Sequence, residues 1–128
     1  MPGSDYRAAL AAAGVGYLPL SCGRFVPFDR TLVFEDVDYS GATFLGQVRL
    51  KPDASGSAVA SFTVTPSFAT PNTLVRLQIA EATMEAMPAA AEQGANLTLY
   101  WDLHVTPSGS SKQMMLAGEF TVLAGVTQ

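Results

Sequence analysis

The residues best placed for chemistry lie in the stretch "LTLYWDLHVTPSGSSK", which holds the chain's single tryptophan and single histidine. Asp102 precedes His104 by two residues, and an aspartate that orients a histidine is a recurring part of catalytic sites. On an extended strand the two side chains project from one face, with their Cα atoms about 7 Å apart. A direct hydrogen bond would be strained, so the spacing favours two polar groups on a solvent-facing or interface-facing strand.

A nucleophile motif to accompany this pair is missing from the sequence. There is no G-x-S-x-G sequence, and the glycines in "GVG" and "PSGSS" do not match a dinucleotide or P-loop fingerprint. Cys22 is expected to be a small buried apolar residue, because nothing basic adjoins it except Arg24. We therefore expect no catalytic residue, no cofactor and no enzymatic activity.

The sequence contains residues that could bind a metal ion or a sugar. A calcium ion could sit at "FEDVDYSG", where Glu35, Asp36 and Asp38 precede a turn, but a polar turn after a strand is favoured. One histidine and one cysteine do not supply the ligand spacing of a zinc site, so no metal site is predicted. Tyr100 is the best candidate for a sugar-binding platform, and a contact at a protein interface is the alternative.

The strand that carries these residues is part of a longer alternating pattern. One face of this strand is wholly apolar from Leu97 to Val105, and the other carries Tyr100, Asp102 and His104. Similar alternation predicts six or seven strands, joined by hairpin-like connections such as the loop over residues 51–58. The strand-like stretches are "RTLVFEDV", "ATFLGQVRL", "AVASFTVTP", "NTLVRLQIA", "NLTLYWDLHVT" and "QMMLAGEFTVLAG". The sequence predicts an all-β antiparallel sandwich, immunoglobulin-like or jelly-roll-like, with one short helical turn near residues 81–88.

The N-terminal segment has a different character. Ser4 can cap a short Ala-rich helix, and Gly14 supplies a stop. We therefore divide the chain into an arm or short helix over residues 1–20 and a sandwich over 21–128. The helix either packs on its own sandwich or docks on another subunit, since alone it would be marginal. The residues expected to contact partners are Tyr6, Leu10, Tyr17 and Leu18 of the arm and Tyr100, Asp102 and His104 of the strand.

Length and charge narrow the classes of partner. A chain of 128 residues is most simply one domain that can bury a core. The net charge is −4, and the seven Lys and Arg residues are scattered, which argues against direct binding of nucleic acid. The N-terminal segment lacks the basic start of a signal peptide and is too short to span a bilayer. We expect a protein that is made in the cytoplasm and does not enter a membrane.

Two stretches carry a resemblance to a known family. "FDRTLVFEDVDYSGATFLGQVRL" and "YWDLHVTPSGSSKQMMLAGEFTVLAGVT" resemble small tail-associated structural proteins of tailed bacteriophages and prophages. They are similar to the immunoglobulin-like N-terminal domain of baseplate upper proteins, in a strand–turn–strand unit and a closing hairpin. The turn is Asp38 to Ala42, with Tyr39 where the family pattern has leucine. The resemblance spans about Phe28 to Thr127.

This resemblance implies a virion structural protein, in the tail, baseplate or fibre-attachment region, that acts through protein–protein contacts. Its partners would be other virion proteins and copies of itself, with no catalytic or cofactor residues to carry over. Low charge, a sandwich with edge strands and a separate N-terminal arm suit a multi-copy component. A module that binds a host surface glycan and a capsid decoration protein are the alternatives.

Overall fold

A computed structural model describes residues 2–52 and 58–125 of the chain. The structure is mostly β, with two sheets and two short helices. In the described part, no helix has the length and apolar character needed to cross a membrane. Positions 53–57 of the predicted loop over residues 51–58 lie outside the described residues. The elements are α1 (Pro2–Ala12), β1 (Gly16–Tyr17), β2 (Leu20–Gly23), β3 (Phe28–Phe34), β4 (Thr43–Arg49), β5 (Ala60–Ser61), β6 (Thr63–Ala69), β7 (Asn72–Ile79), α2 (Glu81–Glu85), β8 (Leu97–Thr106) and β9 (Gln113–Leu123).

The strands form a large and a small sheet. The large sheet has the order β1-β9-β8-β4-β5, with β2 also paired to β9 beyond β1, and the small sheet has the order β3-β7-β6. All pairs are antiparallel except β1 and β2, which run parallel to β9. The prediction of a mostly antiparallel two-sheet structure is confirmed.

The faces of the strands follow the alternation in the sequence. On β8, Leu99, Trp101 and Leu103 are buried, while Tyr100 and Asp102 between them are partly exposed. The same pattern holds on β7, whose inward side chains are buried. Because strand side chains alternate with a period of two, burial of one face sets the register of the whole strand.

The core between the sheets is built around aromatic rings. The ring centroids of Phe28 and Phe120 are 5.3 Å apart, and those of Phe62 and Trp101 are 5.8 Å apart. These edge-type contacts are a favoured geometry for aromatic pairs. Side chains from both sheets complete the cluster, including Val48 of the large sheet and Leu77 of the small one.

The N-terminal arm packs on its own sheet, which is one of the two alternatives left by the sequence. β1 lies within the predicted arm of residues 1–20, and β2 runs across that boundary from Leu20 to Gly23. The helix begins at Pro2, so Ser4 is not its N-cap. Gly14 ends it as predicted: its φ is +75°, and the Gly14 and Val15 amides donate to the Ala11 and Leu10 carbonyls.

The arm is fixed where it crosses between β1 and β2. The Leu18 amide donates to the Ala117 carbonyl at 3.0 Å, and the Trp101 indole N–H donates to the Leu18 carbonyl at 2.9 Å. Gly118 lies directly beneath this crossing, since a Cβ on it would stand 2.3 Å from the Leu18 oxygen. The close approach of two backbones therefore requires glycine at position 118.

One end of the sandwich is closed by α2, which confirms the predicted helical turn. Met84 and Met87 are buried and belong to the core cluster, because α2 carries the chain from the small sheet to the large one. The Arg24 guanidinium donates to the carbonyls of Met87 and Pro88 at 2.7 and 2.8 Å. These two hydrogen bonds tie the residues after α2 to the end of β2.

The other end carries the connection from β3 to β4. Thr73 is fully buried, its hydroxyl donates to the Val37 carbonyl at 2.7 Å, and its oxygen accepts from the Tyr39 amide at 3.0 Å. The Ala42 amide bonds the Tyr39 carbonyl around Gly41, whose φ is +79°. A positive φ at the third position fits a type II turn, which lies within the turn predicted from Asp38 to Ala42.

Candidate functional site

The outer face of the large sheet carries the polar residues singled out in the sequence. Cross-strand pairing aligns these side chains in rows that run over β4, β8 and β9. The rows are Leu45–His104–Met114, Gln47–Asp102–Ala117 and Arg49–Tyr100–Glu119. Between the first two rows Met115 is an extra residue on β9, which is a β-bulge. The bulge shifts the pairing of the first residues of β9 with β8 by one position.

The helix α1 covers one part of this face. The Tyr6 and Tyr100 rings meet edge to face, with centroids 5.3 Å apart. Leu10 and Ala117 are buried but lie outside the core cluster between the sheets. Since Ala117 belongs to a strand row on the outer face, its burial together with Leu10 indicates a second, smaller apolar contact under α1.

A cavity of about 700 Å³ remains between α1 and the sheet, which we call the outer cavity. Its walls include Tyr6 and Leu10 of α1, Arg49 and Lys51 from the end of β4, and Tyr100 and Asp102 of β8. The volume falls within the range of known ligand pockets, and the lining mixes apolar, aromatic and charged groups. The outer cavity can therefore receive a side chain or short segment of another molecule.

Next to the outer cavity, the first row leaves apolar surface exposed. Leu45 is 42% exposed and Met114 is 41% exposed, and they flank His104 on neighbouring strands. Exposed apolar side chains are ordinary when isolated. Met114 also lines the outer cavity, so this row and the cavity are continuous. This row and the outer cavity form the candidate site.

Asp102 and His104 are neighbours on this face. The distance from His104 Nε2 to the Asp102 carboxylate is 3.4 Å, which is long for a hydrogen bond. The Nε2 atom is buried without a hydrogen-bond partner. The Cys22 thiol is no companion nucleophile, because it is buried in the core, where burial raises its pKa.

Tyr17 lies on the same face but in a separate cluster. Its hydroxyl donates to the Glu119 carboxylate, and the Arg7 guanidinium lies 4.9 Å from its ring centroid. The hydrogen bond to the carboxylate raises the pKa of Tyr17. The cluster ties α1 to β1 and β9, so these groups hold the arm in place.

Apart from Tyr17, which belongs to the cluster with Glu119 and Arg7, the predicted contact residues divide into two groups. Tyr6, Tyr100 and Asp102 meet at the outer cavity, and His104 lies beside it. Leu10 is a buried intramolecular contact, and the Leu18 side chain packs against the core. Leu10 is thus covered by its own chain, whereas the partner contact expected of the half-buried Leu18 stays a prediction.

The acidic stretch after β3 forms a polar turn. Asp38 accepts hydrogen bonds from the Ser40 amide and hydroxyl, and these bonds lower the pKa of its carboxyl group. Asp36 has a φ of +58°, and its amide donates to the Asn72 side chain at 3.1 Å. Among the residues that the structure describes, no group of acidic, histidine or cysteine side chains could hold a metal ion.

Gln47, Arg49 and Lys51 line the outer cavity, although the sequence did not single them out as site residues. Their alternation with buried residues of β4 was a usable signal, since it places all three on the polar face. What the sequence could not supply was the position of α1, which turns this part of the sheet face into the wall of a cavity.

Comparison with known proteins assigns no family to the chain. No model of a known protein family matches it, and no curated protein matches it either. The likeness to phage tail proteins therefore stays a hypothesis drawn from the sequence.

Proposed function

We propose that this protein is a non-catalytic structural module that acts through protein–protein contacts in a multi-copy assembly. The observation that carries the proposal is the exposed row of Leu45, His104 and Met114 beside the outer cavity. Such a surface suits association, because burial of apolar side chains drives binding and a bordering cavity gives it shape. In this role, Asp102 and His104 contribute contact surface.

The strand order supports an immunoglobulin-like arrangement over a jelly roll. A three-stranded sheet β3-β7-β6 facing a sheet that contains β9-β8-β4-β5 matches strands B-E-D facing G-F-C-C′ of variable-type immunoglobulin domains. A jelly roll has eight strands in two Greek keys, and a three-stranded sheet does not suit it. This topology is in line with the resemblance to immunoglobulin-like domains of phage baseplate proteins.

The sequence resemblance extends the proposal to a location. We place the module in a phage virion, in the tail, baseplate or fibre-attachment region, with other virion proteins and copies of itself as partners. A capsid decoration protein would use the same kind of contacts and differs only in its neighbours.

A glycan-binding module is the weaker alternative. The outer cavity has the size of a small-ligand site and contains amide, carboxylate and guanidinium groups. A sugar would stack on the ring face of Tyr100, but this ring is already engaged in an edge-to-face contact with Tyr6. The geometry thus gives more support to a protein partner than to a sugar.

A charge placed in the exposed row tests the proposal. Leu45→Lys should shift the protein from oligomer to monomer and raise the dissociation constant about tenfold or more, because it buries a charge at the contact. Val26→Lys is the matched control, since Val26 is 53% exposed and lies outside the outer face. The measurement is molar mass by light scattering over a range of concentrations.

The comparison of the two variants shows whether the oligomer contact includes the outer face or the surface around Val26. An oligomer that survives Leu45→Lys but dissociates with Val26→Lys would contradict the assignment of this face. Stabilisation of an isolated monomer by oligosaccharides, with no self-association, would favour the glycan alternative instead.

A further inference from the structure

The two ends of β4 differ in the charge of the residues around them. The strand runs from Thr43 to Arg49, which is about 20 Å at the usual rise per residue. The connection from β3 precedes it and is acidic, whereas Arg49 and Lys51 at its other end line the outer cavity. Because the strand separates them, these two features cannot meet within one chain.

The cavity end is cationic over the residues of its lining that the structure describes. Among these, Arg49 and Lys51 contribute two positive charges, against one negative charge from Asp102. The Arg49 guanidinium donates to the Gln47 amide oxygen at 3.2 Å, which holds it on the sheet, and Lys51 is exposed. The apolar part of the lining, with Leu10, offers contact for an uncharged side chain.

The opposite end presents an acidic projection. Glu35, Asp36 and Asp38 are exposed and surround the half-buried Val37. The backbone here is held by the buried Thr73 and by the Asn72 side chain, so the projection has a defined shape. A preformed loop loses less conformational entropy when it binds than a disordered one.

From this complementarity we propose that the loop of residues 35–40 of one copy docks in the outer cavity of a second copy. The inference rests on the proposed function, since it names the partner for the outer face. Contact between opposite ends of the same chain is head-to-tail, and repetition of such a contact builds a ring or an open helical stack. An open stack keeps one unused loop at one end and one unused cavity at the other, so further copies can add to it, whereas a ring leaves neither unused.

Charge reversal at both surfaces tests this contact. Lys51→Glu changes the cavity and Glu35→Lys changes the loop, and both residues are exposed, so the fold should tolerate either substitution. Each variant alone should raise the dissociation constant about tenfold, because like charges face each other at the contact. The loss should be smaller at high salt, where the repulsion is screened.

Mixing the two variants is the decisive step. A Glu35→Lys loop meets a Lys51→Glu cavity with opposite charge, and the remaining loop and cavity of the pair are unmodified. An equimolar mixture should therefore assemble with a dissociation constant within about threefold of the unmodified chain. Glu85→Lys is the matched control, since Glu85 is exposed on α2 and its change in charge equals that of Glu35→Lys.

Each outcome has a definite meaning. If neither reversal weakens the oligomer, or if mixing restores nothing, the loop does not occupy the cavity and the inference is overturned. The proposed function would survive that result if Leu45→Lys still dissociates the oligomer. If the unmodified chain stays a monomer at every concentration, both the inference and the proposed self-association are contradicted.

Discussion

Replacing Gly118 with alanine is expected to lower the free energy of unfolding by about 3 kcal/mol through the steric clash alone. The added Cβ would stand 2.3 Å from the Leu18 carbonyl oxygen and 2.8 Å from its carbon. Both atoms belong to the backbone, so no side chain can turn aside to relieve the clash. The arm would have to lift away from β9.

Lifting the arm would break further interactions. The indole N–H of Trp101 would lose its acceptor, and the Leu18 amide would lose the Ala117 carbonyl. A buried donor without a partner costs about 1–3 kcal/mol in addition to the steric term. We therefore expect Gly118→Ala to be among the most destabilising single substitutions in the chain.

Gly109→Ala provides the matched control for this effect. Gly109 lies in the turn between β8 and β9, with a φ of +75° and nothing within 4 Å of an added Cβ. Gly109→Ala should lower the free energy of unfolding by only about 1–2 kcal/mol, which is the strain of an alanine in left-handed backbone. Urea unfolding of both variants decides the matter, and an equal loss at the two positions would contradict the close crossing at Leu18.

Trp101→Phe is expected to have the second largest effect, a loss of about 2–4 kcal/mol in the free energy of unfolding. The side chain is buried between the sheets, and its indole nitrogen satisfies the Leu18 carbonyl. Phenylalanine removes that donor and leaves space where the second ring lay. The carbonyl of the arm would then be buried without its partner.

Phe62→Leu separates the hydrogen bond from the loss of ring volume. Phe62 contacts Trp101 in the core, is buried to a similar degree and makes no side-chain hydrogen bond, since it has no donor. Thermal unfolding should show the larger loss for Trp101→Phe. Protease cleavage within residues 1–19 should also accelerate in that variant alone. If Phe62→Leu loosens the arm equally, the indole hydrogen bond does not hold it.

The strand faces were predictable because alternation is a local property. Burial of Val75, Leu77 and Ile79 against exposure of Arg76 follows directly from the sequence of β7. The buried cysteine and the turn at Gly109 are equally local, since each depends on a few neighbouring residues. These features gave the class of fold and the polar face of β8.

The pairing of distant segments was not predictable in the same way. The parallel pairing of Leu20 with Phe120 joins residues that lie a hundred positions apart, and a four-residue strand next to Pro19 has little periodicity of its own. The position of α1 also depends on contacts between residues that are distant in the sequence. An Ala-rich helix has a weak apolar stripe, so its docking depends on tertiary contacts such as Tyr6 on Tyr100.

The candidate site contains residues that the sequence placed correctly and residues that it did not. Tyr100 and Asp102 were identified from the polar face of their strand and Tyr6 from the N-terminal arm, and the structure brings them together at one cavity. Leu10 and Leu18 were expected to face a partner, because an apolar residue in an arm has the same sequence signature whether it packs internally or externally. Only the three-dimensional position of the arm distinguishes these cases.

The central claim is that the outer face and the cavity under α1 mediate self-association. The most direct test is the molar mass of the purified protein by light scattering, compared with a chain that lacks residues 1–13. We expect a defined oligomer for the full chain and a folded monomer for the shortened one, because α1 forms one wall of the cavity while Leu18 still anchors the rest of the arm. A full chain that remains monomeric, or a shortened chain that keeps the oligomer, would contradict it.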